Sequence, residues 1–198
     1  MTRSNAREIA VHLIYAVQCS AEPVDEVLAG RFDEEYYALL ADENEIYADK
    51  PGTKQKAYIS GVVRGVIERT PELEGYLAKY SIGWNVNRIS SLAKAIMEVA
   101  MYETLYVDDV PKNVAIHEAV LLTQKYEEEE TVAFVNGVLG SYSRGLESQA
   151  RSLSALIPAT IRPPAQRSTV CRVRTSPACW TSSRGSLACA NQTRSFHT

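Results

Sequence analysis

A chain of 198 residues with 45% hydrophobic content has enough apolar material for one domain with a real core and is too short for several. Its net charge of −3 conceals an asymmetry. All 24 Asp and Glu lie in residues 1–147 beside 14 Lys and Arg, which leaves that body at −10, while residues 148–198 carry seven Arg and no acid. An acidic body argues against broad nonspecific duplex binding, which needs clustered cations, so any RNA site must be local. The start has no basic segment leading into an unbroken apolar stretch, and no run of about 18 apolar residues occurs; a soluble cytoplasmic protein is expected.

The body reads as successive helices. The first is expected from Asn5, an N-cap followed three residues later by Glu8, to about Cys19, with Ile9, Leu13 and Val17 at spacing four. A second is expected over Val24 to Leu40, before Lys50-Pro51-Gly52 breaks the chain. From Thr53 to Arg69, Ala57/Tyr58, Gly61/Val62 and Gly65/Val66 repeat every four residues, a stripe in which Gly61 and Gly65 permit tight helix packing. Thr70-Pro71 caps a short helix to about Tyr80.

Ile89 to Tyr106 is apolar on nearly every side and is expected to be the central core helix. Val110-Pro111 opens the next, carrying Ala115, Ala119, Leu122 and Tyr126, and the acidic run Glu127 to Glu130 precedes a last helix with Val132, Val135, Leu139 and Tyr142. Asn136-Gly137 taken alone signals a hairpin turn, which the flanking helical periodicity overrules. Residues 148–198, rich in Arg, Ser, Thr and Pro, lack helical periodicity and are expected to be disordered, with an Arg-rich RNA-binding arm as the alternative.

No phosphate-binding loop, dinucleotide fingerprint or nucleophile elbow is present. Cys19, Cys171, Cys179 and Cys189 match no paired zinc-ligand spacing and read as free thiols. His12 and His117 fall inside expected helices as polar contacts, and the consecutive acids Glu127 to Glu130 point in different directions and read as a solvated run. No catalytic centre, metal or cofactor is expected.

Three segments together carry a resemblance: Ala6-Arg7 through Leu13-Ile14-Tyr15; Trp84 with Arg88 leading to Ala95-Ile96 and Met101-Tyr102-Glu103; and Val110-Pro111 through His117-Glu118-Ala119-Val120 to Phe134-Val135-Asn136-Gly137-Val138-Leu139. Their order and spacing, over about residues 3–143, resemble the NusB family of transcription antitermination factors. The resemblance implies an all-α fold of two packed helical bundles, with residues 1–147 as the RNA-binding domain. One bundle would span 1–80 and the other 82–147, with a basic N-terminal arm before them and the 148–198 tail after. It further implies that the chain binds boxA-like single-stranded RNA of rRNA leader transcripts together with ribosomal protein S10 (NusE), within the transcription elongation complex. Self-association into a homodimer through the RNA face is left open.

Single-stranded RNA is held by cations for phosphate and aromatic faces for stacking bases. The candidates matching that requirement are Arg3 and Arg7 in the arm, Tyr15, Lys94 on the core helix, Tyr126 and Phe134. The chain departs from the family's pattern where Ser4 and Asn5 separate the arm arginines, at Ala93, where an acid is common, and at Glu98, where an arginine is common. A reversed charge at Glu98 would repel phosphate if that position faced RNA. Two other functions fit the same pattern: a helical protein-interaction module that has lost RNA binding, and the RNA-recognition domain of an rRNA cytosine methyltransferase. The second is disfavoured because no methyl-donor domain or catalytic Pro-Cys motif is present.

Overall fold

A computed structural model describes residues 1–20, 22–81 and 89–156, and every regular element among them is helical. The first helix, α1 (Arg3–Ser20), begins two residues earlier than expected because Thr2 takes the capping role: its Oγ1 accepts from the Asn5 N–H at 3.1 Å. Arg3 and Arg7 therefore lie within a helix, not in an extended arm.

The expected second helix is two. The chain breaks after α2 (Val24–Arg31), and Asp33, whose side chain accepts from the Tyr36 N–H at 3.1 Å, caps a separate α3 (Glu34–Glu43). A single 3-10 turn, Glu45–Tyr47, follows, and Gly52 precedes α4 (Thr53–Glu68). Next come α5 (Thr70–Tyr80), α6 (Ser91–Tyr106), α7 (Lys112–Tyr126) and α8 (Glu129–Leu156). Ser90 caps α6 by accepting from the Ala93 N–H at 3.0 Å.

Asn136-Gly137 lies inside α8, as the periodicity indicates. The same helix runs on through Leu156, which corrects the expectation that disorder begins at residue 148. Ser148 Oγ donates to the Gly145 carbonyl at 2.8 Å, and Arg151 pairs with Glu147 one turn back at 3.2 Å, local contacts that sustain a helix without apolar periodicity. The rest of that segment, with Cys171, Cys179 and Cys189, lies outside the described residues. So do Trp84 and Arg88.

Residues 1–157 form one compact unit. Helix α1 packs on α4 and α6, α6 also packs on α5, α7 and α8, and α5 meets α8. Burial agrees with the reading of α6: Ala95, Ile96, Met97, Val99, Ala100 and Met101 are all inaccessible or nearly so. Of the two stripe glycines, Gly65 is the close approach. A Cβ there would come within 2.1 Å of the Tyr102 hydroxyl, whereas a Cβ on Gly61 would meet nothing within 4 Å.

Candidate nucleic-acid interface

Four of the six candidate side chains lie on α1 or against it. Arg3, in its first turn, lays its guanidinium 3.8 Å from the centroid of the Tyr58 ring on α4. The Nε atom of Arg3 is buried and lacks a hydrogen-bond partner. Around this pair is a hollow of about 180 Å³ lined also by Lys54 and Gln55.

Arg7 corrects the sequence expectation. It is 2% exposed, and its guanidinium forms a two-pronged pair with Glu103 of α6, Nε to Oε2 at 2.7 Å and Nη2 to Oε1 at 3.1 Å. Its Nη1 reaches Glu118 of α7 at 2.9 Å. The Tyr58 hydroxyl donates to Glu103 Oε1 at 2.5 Å, and the Ser4 hydroxyl donates to Glu118. Burial works against the charged guanidinium, but the hydrogen bond and charge of Glu103 outweigh it and hold the pKa above its ordinary value. Arg7 is thus committed inside the protein and presents no charge to a phosphate.

Tyr15, on the outer side of α1, is 41% exposed and free to present its ring face. Tyr126, at the end of α7, is half-buried. Its hydroxyl donates to Glu8 and lies 3.1 Å from His12 Nε2, with the two rings edge-on at 5.4 Å. Lys125 completes the cluster with Nζ 2.6 Å from Glu8 Oε1. Burial, then the bond to Glu8, pushes the Tyr126 phenol up, and burial lowers the pKa of His12. His12 is the polar contact the sequence suggests; its Nδ1 is 3.4 Å from the Tyr47 hydroxyl.

Lys94 is also engaged: it pairs with Glu74 on α5 and lies 3.8 Å from Glu98 Oε1. Glu98 is fully buried, accepts from Gln18 of α1 at 2.7 Å and leaves Oε1 without a hydrogen bond. It faces α1 rather than solvent, so the expected repulsion of phosphate does not arise. Phe134 lies on α8, half-buried against the core beside a hollow of about 270 Å³ that Tyr80, Ser81, Gly137 and Ser141 also line. The structure thus leaves Arg3, Tyr15 and part of Phe134 to the surface, ties Arg7 and Tyr126 into buried or half-buried polar contacts, and pairs Lys94 with Glu74 at the surface.

Sequence reasoning passed over Lys54, Lys56 and Tyr58. Two lysines and an aromatic at alternate positions after the Pro51-Gly52 break were the available signal. Among the described residues no group of three or more His, Cys, Asp and Glu could hold a metal ion, and no helix is long and apolar enough to cross a membrane.

Comparison with known proteins decides the family. The NusB family model matches residues 4–144. The chain belongs to the NusB family. The transcription antitermination protein NusB of Ruminiclostridium cellulolyticum is 38% identical over 145 residues, which is 73% of this chain and 90% of that one. The Bacillus subtilis protein of the same name is 29% identical, covering 74% and 98%. Among solved structures, T. maritima NusB superposes with a TM-score of 0.58 at 24% identity, covering 71% of this chain and 89% of that one. A structure of the antitermination factors NusB and NusE in complex with double-stranded RNA gives 0.57 at 17% identity, covering 72% and 96%. The matched span runs from the first turn of α1 into α8, so the NusB-like fold accounts for nearly all the helical body.

Proposed function

We propose that this NusB-family chain is a transcription antitermination factor of the cytoplasm, which binds boxA-like single-stranded RNA of rRNA leader transcripts jointly with ribosomal protein S10 (NusE) in the elongation complex. The observation that carries the reading is the family match over residues 4–144, together with relatives named for transcription antitermination. A structural neighbour in which NusB, NusE and RNA are found together supports the partners. On the surface, Tyr15 supplies an open stacking face and Arg3 an uncommitted cation at the other end of the same helix. No catalytic step belongs to this role; the protein works by holding two partners at once.

The test is a fluorescence-anisotropy titration of boxA-like RNA with and without S10. Saturable binding that S10 tightens is the expected result, and Tyr15→Ala should lose about 1–3 kcal/mol of RNA affinity. Binding of S10 with no RNA affinity would refute the reading in favour of a helical interaction module. That second reading has its own support, since Arg7 is paired with the buried Glu103 and with Glu118, and Lys94 with Glu74 at the surface.

A further inference from the structure

Phosphate contacts need cations that the fold has left uncommitted, and in this acidic body six of the thirteen described Lys and Arg are paired with carboxylates. Arg7 is tied to Glu103 and Glu118, Lys94 to Glu74, Lys125 to Glu8, Arg64 to Asp25, Arg69 to Glu68 and Lys50 to Glu34. Arg3, Lys54 and Lys56 form no salt bridge among the described residues, and they converge on the start of α4, whose first turn carries no acid.

Two hollows flank that turn. In one, of about 180 Å³, Arg3 and Lys54 share the walls with Gln55 and Tyr58. The Arg3 guanidinium is held by a ring face and not by a carboxylate, and its buried Nε lacks an acceptor, a deficit that a phosphate oxygen would make good. In the other, of about 230 Å³, Lys56 stands beside Phe32, Tyr37 and Pro51, with its ammonium 5.5 Å from the Phe32 ring centroid, and the Lys50–Glu34 pair completes the wall, its carboxylate offset by Lys50 at 2.8 Å. Lys54 and Lys56 are both exposed. Cations alternating with aromatic walls suit a nucleic-acid strand, whose phosphates and base faces alternate in the same way.

We infer that RNA bound to this chain crosses the start of α4, with one backbone phosphate between Arg3 and Lys54 and another at Lys56. The inference rests on the RNA-binding reading above and relocates the phosphate contacts from Arg7 and Lys94 to residues of α4.

The test uses the full chain and a boxA-like RNA lengthened with uridines at both ends, titrated over a range of salt. Replacing both lysines, Lys54→Gln with Lys56→Gln, should reduce the magnitude of the salt-dependence slope by about 1.4, at roughly 0.7 per contact on a single strand. Lys54→Arg with Lys56→Arg should restore it. Because both side chains are exposed, the melting curve should not move, which separates the effect from misfolding. Parent-like slope and affinity in the Gln variant, with Tyr15→Ala still impaired, overturns the α4 path and leaves RNA binding intact. No saturable binding by the parent overturns both.

Discussion

Replacing Arg7 with Ala separates a structural tie from an RNA contact. The substitution leaves Glu103, which is fully buried, with only the Tyr58 hydroxyl as a donor, while Glu118, 22% exposed, can turn to water. Breaking a buried pair by removing one partner costs about 3–5 kcal/mol, mostly the desolvation of the charge left behind. For a folded unit of this size each kcal/mol moves Tm by about 2–4 °C, so the midpoint should fall by about 6–20 °C. Arg7→Met combined with Glu103→Leu removes both charges and should recover much of the loss, giving a coupling energy above about 1 kcal/mol in the double-mutant cycle. Thermal and urea melts by circular dichroism read both quantities. A variant Arg7→Ala that melted like the parent, while its RNA salt slope dropped by about 0.7, would refute the reasoning and return Arg7 to the phosphate path.

Gly65→Ala should destabilise by about 1–3 kcal/mol, because the added methyl meets the Tyr102 hydroxyl. Gly61→Ala, with open space around it, should stabilise α4 by about 0.5–1 kcal/mol; urea midpoints distinguish the two. Burial raises the pKa of Glu98 above 4.5, a shift that Glu74 reinforces and the Gln18 hydrogen bond and Lys94 oppose. The native state then binds the proton more tightly than the unfolded chain, so the stability this gives is fully present below pH 4.5 and is lost as pH rises through the folded pKa. Glu98→Gln should therefore raise Tm at pH 7 and have little effect at pH 4; equal shifts at both values would show that Glu98 is not the group titrating.

Helix α6 was legible because a helix surrounded by others must be apolar all round, and its residues are. The break at Asp33 was missed because Phe32 and the acids after it fit a continuous helix equally well. The cap signal, an Asp with Glu34 and Glu35 in the following turn, was there to be weighed. Arg7 and Lys94 were read as surface cations because periodicity assigns polar residues to water. The partners of Arg7 lie on other helices, 96 and 111 positions away, and that of Lys94 in closest contact 20 positions away, so no local pattern reveals them; only the longer Lys94–Glu98 contact, four residues on in α6, is local. Arg3 and Tyr15 were proposed on residue type alone, and the fold leaves Tyr15 41% exposed and Arg3 against the Tyr58 ring. The proposed α4 path needed the fold, since the packing of α1 on α4 brings Arg3 beside Lys54.

The Arg7 tie also bears on synthesis. At about 5–20 residues per second, the ribosome takes roughly 5–20 s to add the 96 residues that separate Arg7 from Glu103. Throughout that interval the first helix has no carboxylate from α6 or α7 to set against its guanidinium, and closing α1 onto α4 would strand a bare charge. That cost works against closing the N-terminal half before α6 has emerged. Each half of the chain supplies one sign of the same buried pair.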